Sequence, residues 1–175
     1  MKNKKPTLLL DTCVVSDFIE VDAEIIRLAT KCFGRLHIPN VLMDELTKRF
    51  SYDALDALEL LVINVSEELV DDAILFRSKE GMSRLSVYDC VCFLTAQKYS
   101  YTCVTNDLRL QNICKKRGVQ VWWGLEIVLK LYDLDAISFQ RAESFGIRLN
   151  ERSPYFKKEL LEKFQRRLLE LKDKE

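Results

Sequence analysis

The sequence predicts an α/β fold: a central, mostly parallel sheet of about five strands flanked by helices, with a C-terminal helical extension. Three observations predict it. Five short apolar runs are bounded by polar or turn residues, helical patterns lie between them, and after Trp123 the pattern becomes wholly helical.

Strands are expected at 7–10, 36–38, 62–65, 101–105 and 119–122. Runs this short and this apolar suit strands buried on both faces. Helices are expected at 22–33, ended by Gly34, and at 40–49, opened by Asn40 after Pro39. Three more are expected at 67–79, ended by Gly81, at 86–99, and at 108–117, ended by Gly118. Glycine just past a helical pattern is a stop signal, because it accepts the left-handed backbone that closes the last turn. Beyond the sheet, helices are expected at 125–134, at 136–145 and from Pro154 to about residue 172. The last carries Phe156, Leu160, Phe164, Leu168 and Leu171 at spacings of four or three, an apolar stripe on a charged helix. That stripe must dock on its own domain, across a dimer, or on a partner. The expected division is one domain over 1–134 and an extension over 135–175 that packs on it or serves association.

At 175 residues the chain is long enough for one domain with a real core. Hydrophobic residues make up 48%, charged residues 31%, and there are only 5 Gly and 3 Pro, which excludes extended disorder. Lys plus Arg and Asp plus Glu total 27 each, so a global positive field is excluded and any nucleic-acid role needs a local basic patch. The six cysteines (Cys13, Cys32, Cys90, Cys92, Cys103, Cys114) lie in apolar stretches without a CxxC pair, and His37 is the single histidine. That excludes a Cys/His zinc site and points to reduced, mostly buried thiols in a cytoplasmic protein. The N-terminal apolar run is too short for a signal peptide, and no later segment approaches membrane-spanning length.

In the stretch TLLLDTCVVSDFI a strand that reads as fully buried ends on a carboxylate, Asp11. An unpaired buried carboxylate costs several kcal/mol, so something must pair with it. Ligands of open α/β sheets bind outside the carboxyl ends of the strands. Asp107 follows the fourth strand in CVTNDLRL, while Asp89 in LSVYDCVCF and Glu45 in IPNVLMDELTKR stand at or near helix starts. Two negative charges about 5 Å apart repel by about 3 kcal/mol at an effective dielectric near 20, and a divalent cation removes that repulsion. Oxygen donors without histidine or cysteine suit Mg²⁺ or Mn²⁺. Simpler roles compete. Ser86 and Asp89 have the spacing of a capping box, Asp107 is placed to cap its helix, and Asp44 competes with Glu45.

Taken in order, LLLDTCVVSDF, IPNVLMDEL, LSVYDCVCFLTAQ, and CVTNDLRL with GVQVW after it resemble the PIN-domain nucleases, most closely their compact toxin-like (VapC-like) members, over about residues 7 to 130. The resemblance implies a PIN-like fold and a catalytic, metal-binding set of Asp11, Glu45, Asp89 and Asp107. It implies metal-dependent hydrolysis of phosphodiester bonds in single-stranded or loop RNA, with one or two Mg²⁺ or Mn²⁺ ions activating water. Thr12, Ser86, Thr105 and Asn106 are candidates for hydrogen bonds that fix the carboxylates. Arg109, Lys48, Arg49 and Arg84 are candidates for contacts to the RNA backbone. A toxin-like member would be silenced by a small antitoxin protein and could form a homodimer.

The chain departs from the family pattern in its long tail and in Cys13 and Cys90 beside two of the acids. A haloacid dehalogenase-type phosphatase would need a second aspartate where Cys13 stands. A non-catalytic scaffold acting through its C-terminal helices is the remaining alternative. Trp122 and Trp123 are expected mainly as core and partial core, with base stacking as their functional reading.

Overall fold

The structure, a computed structural model, describes residues 6–34, 36–79, 82–152 and 156–173. Its sheet holds five parallel strands, β1 (Leu8–Leu10), β2 (Leu36–Pro39), β3 (Leu61–Ile63), β4 (Thr102–Val104) and β5 (Val121–Trp122), in the order β3-β2-β1-β4-β5. Each strand lies within two residues of its expected span, but the edge strands β3 and β5 are not buried on both faces as expected: Val62 is exposed and the rest of the two strands only half-buried, because an edge strand has a neighbour on one side alone. β1 is fully buried, and its three leucines fill the middle of the sheet.

The strand order makes β1 and β4 a switch point. From β1 the chain moves outward through β2 to β3, then crosses back past β1 to β4 and β5. Right-handed crossovers in opposite directions put their helices on opposite faces. The first crossover carries α1 (Thr12–Asp22) and α2 (Glu24–Phe33), and α3 (Asn40–Leu46) and α4 (Tyr52–Asp56) come after β2. The return carries α5 (Glu67–Ser78) and α6 (Val87–Tyr99), the latter lying on β1, β2 and β4, with α7 (Leu108–Lys116) after β4. In open α/β sheets, ligands bind at such a switch point, outside the carboxyl ends of the strands.

The structure corrects the expected helices in several places. Helix α1 was not expected: the chain turns helical directly after Asp11, and the pattern assigned to 22–33 begins at Glu24. The β-branched residues of TCVVSDFIEVD weaken the local helical signal. Burial of Val14, Val15, Phe18 and Val21 along one face overrides it. The helix expected at 40–49 stops at Leu46, and α4 is an additional short helix capped by Ser51. The helix expected at 136–145 is α9 (Phe139–Arg152), whose first turn is held by Ser138 Oγ accepting from the Arg141 N–H at 3.2 Å. The helix expected from Pro154 is α10 (Lys158–Lys172); Pro154 itself and the stop at Gly81 lie outside the described residues. Gly34 (φ 93°) and Gly118 (φ 73°) do close α2 and α7 with the left-handed backbone expected of them.

Helix α8 (Gly124–Asp133) packs against α2, and α9 and α10 close over it. The apolar stripe of α10 is docked within the chain: Phe156, Phe164 and Leu168 are buried, and Leu160 and Leu171 are half-buried in one core that begins at Leu8. Charge fixes both helices as well. Arg141 grips Asp22 of α1 with two hydrogen bonds of 2.9 and 3.1 Å, and Arg167 grips Glu126 of α8, one bond being 2.9 Å. Bidentate pairs of this kind fix orientation as well as distance. All six cysteines are free, and four are buried. No helix among the described residues is long and apolar enough to cross a membrane.

Gly146 sets how closely α9 and α10 approach, since a Cβ there would lie 2.5 Å from Cε1 of the buried Phe164 ring. Gly146→Ala is therefore expected to destabilise the chain by about 1–2 kcal/mol, the overpacking exceeding the gain of about 1 kcal/mol in helix propensity. Equilibrium urea denaturation checks this; unchanged or higher stability would show that the contact gives way.

Candidate metal-nuclease site

Asp11 sits where β1 meets α1, only 2% exposed. Its backbone N–H donates to Val104 O at 3.0 Å, continuing the pairing of β1 with β4 one residue past the strand. That places its side chain beside Thr105, whose hydroxyl donates to Asp11 Oδ2 at 2.7 Å. The Cys13 thiol donates to the same oxygen at 3.0 Å. Burial raises the Asp11 carboxyl to about 6; the Cys13 hydrogen bond lowers it, the negative charge of Asp89 raises it, and Thr105 lowers it again.

Asp89 stands in the first turn of α6. Its Oδ2 accepts from the Ser86 N–H at 2.7 Å while Ser86 Oγ accepts from the Asp89 N–H at 3.0 Å, a complete capping box. Burial raises this carboxyl as well, against the hydrogen bonds of Ser86, and the charge of Asp107 adds to the rise. Asp107 caps α7, with Oδ1 accepting from the N–H groups of Arg109 at 2.7 Å and Leu110 at 2.9 Å. The capping roles open to these residues are thus both present. They do not exhaust the carboxylates, since an ionised group offers about four lone-pair sites. A chain of electrostatic contact runs from Asp11 through Asp89 to Asp107 across the switch point.

Glu45 lies on α3, the helix that packs against both α1 and α6. Its Oε2 is buried without a hydrogen-bond partner. Asp44 beside it is exposed. Leaving a buried carboxylate oxygen unpaired costs well over what an ordinary hydrogen bond contributes, which marks it as a position for a ligand. No three His, Cys, Asp or Glu side chains among the described residues are placed to hold one metal ion between them. The donors nevertheless fit a hard divalent cation: they are carboxylate oxygens, one orphaned and buried, and two more whose charges crowd Asp11 or each other.

Of the supporting residues, Thr105 and Ser86 bond to the acids as expected, and Thr105 Oγ1 also accepts from the Asp107 N–H at 3.1 Å. Thr12 contributes through its backbone, which lowers the Asp11 carboxyl. Asn106 bonds to none of the four acids. Its amide donates to Asp17 Oδ2 at 2.7 Å and accepts from the Gly124 N–H at 2.8 Å, pinning the β4–α7 loop to α1 and α8. Asp17 was missed because α1 was missed; the signal was its place on a helix opened by Asp11. Cys13, read from sequence only as a departure, is a direct partner of Asp11 and also accepts from the Asn106 N–H at 3.4 Å.

The four candidate cations are exposed. Arg109 donates to Arg84 O at 3.2 Å and its charge lowers Asp89, so these two arginines border the acids. Arg49 instead ion-pairs with Glu20 at 2.9 Å, and its charge reaches Asp17. Trp122 is only half-buried, a correction to its expected place in the core, and Trp123 is likewise half-buried.

A buried acid whose carboxyl is raised on folding holds its proton more tightly in the native state, so between about pH 4 and pH 6 stability falls as pH rises. Asp11→Asn should therefore stabilise the metal-free protein at neutral pH, by about 3 kcal/mol at most, and the difference should vanish below about pH 4. Urea midpoints measured with a chelator across that range check it; a destabilised variant at neutral pH would refute it.

A PIN domain family model matches residues 8–116. No curated protein matches the chain. The matched segment contains all four acids and covers more than half of the 175 residues. The chain belongs to the PIN domain family, whose members are usually nucleases that require divalent metal ions.

Proposed function

We propose that the protein is an endoribonuclease that hydrolyses phosphodiester bonds of single-stranded or loop RNA with Mg²⁺ or Mn²⁺. The observation that carries this reading is Asp11: a carboxylate buried at the sheet's switch point and crowded by the charge of Asp89. Such an arrangement destabilises the fold unless a cation compensates it. Asp11, Glu45, Asp89 and Asp107 would hold the metal. When bound, a divalent ion supplies Lewis acidity and lowers the pKa of water to make a nucleophile.

The chain's own residues do the rest. Thr105 and Cys13 orient Asp11 through one oxygen. The cap of α6 fixes Asp89, and that of α7 fixes Asp107. Arg109 and Arg84 attract the backbone phosphates toward the acids, with Lys48 and Arg49 as further cations on the α3 side. Hydrolysis by attack of water leaves a 5′-phosphate and a 3′-hydroxyl.

We read residues 1–134 as the nuclease unit and 135–175 as an extension, though the two share one core. A scaffold acting through α10 has less to stand on, because the apolar stripe it would offer is already buried in the chain. Within the nuclease reading, the toxin of a toxin–antitoxin pair is the specific role proposed. A small antitoxin would occupy the groove beside the acids, and self-association into a homodimer and a cytoplasmic location fit the same role.

The test is cleavage of a pool of structured and single-stranded RNAs with Mg²⁺ or Mn²⁺. Wild type should cut, and Asp11→Asn or chelator should reduce the rate by at least a hundredfold. Products with 2′,3′-cyclic phosphate ends, or cleavage indifferent to chelator, would overturn the mechanism. Glu45→Gln, which keeps the shape of the orphaned acid, should raise the Mn²⁺ concentration needed for half-maximal activity about tenfold or more; an unchanged requirement would remove Glu45 from the site.

A further inference from the structure

A cavity of about 320 Å³ opens between α7, β5 and α10, and none of the four acids lines it. Asn106, the residue before Asp107, lines it on one side, and Phe156, just before α10, and Leu160 in its first turn line it on the other. Trp122 and Trp123, adjacent in the chain at the end of β5, are both in its lining, the Trp122 ring also meeting Phe33 of α2 edge-on at 6.3 Å. Lys163 lies over the Trp123 ring, 5.6 Å from its centroid, and Lys115 from α7 is exposed at the opposite rim.

The electrostatics of the lining select an anion. Its one carboxylate, Glu126, is raised by burial, but the hydrogen bonds and charge of Arg167 outweigh this and bring it below its usual range. Lys115 and Lys163 take part in no ion pair among the described residues. The lining is therefore cationic and aromatic at once, the combination that binds an unpaired base together with its phosphate. The volume is at the lower end for a ligand pocket, enough for a single nucleotide.

Three of its polar side chains are bonded within the protein. The Trp123 indole N–H donates to Glu126 at 3.1 Å, the Asn106 amide serves Asp17 and Gly124, and the Gln111 amide donates to Thr105 O at 2.9 Å. These bonds fix the orientation of the indole and the two amides, which keep further donors and acceptors; stacking, which any base can make, is the interaction the aromatic lining supplies.

We propose that this cavity is a stacking subsite for one unpaired nucleotide of the substrate strand, next to the scissile phosphate, with α10 as its outer wall. The base lies against the indoles and its phosphate between Lys115 and Lys163. The subsite rests on the nuclease reading and adds two things to it: a demand for single-stranded substrate and little preference for which base is held.

The chain contains only two tryptophans, and both line the cavity, so intrinsic emission reports on it directly. The full-length, non-cleaving Asp11→Asn protein is titrated with fluorescein-labelled single-stranded oligouridylate and monitored by anisotropy. Unlabelled oligouridylate, oligocytidylate and oligoadenylate are monitored by tryptophan emission. Emission should fall at saturation with the same Kd as the anisotropy, and the three sequences should agree within about threefold. Lys115→Glu with Lys163→Glu, both at exposed positions, should raise Kd at least tenfold and abolish the quench without changing the melting temperature. RNA that saturates by anisotropy while emission stays unchanged overturns the subsite and leaves the nuclease reading intact. A wild-type Kd in the double variant also overturns it. RNA that neither binds nor is cut by wild type removes both readings.

Discussion

The structure depends on the pairing of β1 with β4, carried one residue beyond the strands by the bond from the Asp11 N–H to Val104 O. That bond sets Asp11 beside Thr105 and brings residues far apart in sequence to one point of the sheet. Because the chain reverses its direction of travel between these two strands, the point is also the sheet's switch point, where ligands of such folds bind. Three leucines on one side and Cys103 and Val104 on the other are buried, and leave little room for water around the acid at the strand end. The carboxylate of Asp11 is therefore held by a hydroxyl and a thiol.

Helix capping and site geometry use the same groups. Asp89 and Asp107 satisfy orphan N–H groups at the first turns of α6 and α7, and these helix ends favour negative charge. The cap fixes where each carboxylate stands, and the helix end softens the repulsion among the acids. Glu45 has no such partner, and its buried, unbonded oxygen is the one member of the set that local structure leaves unexplained.

The C-terminal helices belong to the same cooperative body. Gly146 lets the Phe164 ring approach α9, while Arg141 and Arg167 tie α9 and α10 to α1 and α8. Helix α8 begins at Gly124, whose N–H is held by Asn106 in the loop before Asp107. The C-terminal helices are thus linked, through α8, to the loop that precedes Asp107.

The sequence by itself determined the five strands and most of the helices between them, because short apolar runs and capping patterns are local signals that survive without tertiary context; it singled out the four acids as candidates. It also carried the partnership of Ser86 with Asp89, three residues apart. Only the tertiary structure decided that α1 forms, since its β-branched residues favour a helix only when one face is buried. With α1 came Asp17 and its bond to Asn106, a contact across 89 residues that no spacing reveals. The docking of α10 and the half-buried state of Trp122 were decided in the same way. An apolar stripe states that it must be covered, and the surface that covers it is chosen by the packing of the whole chain.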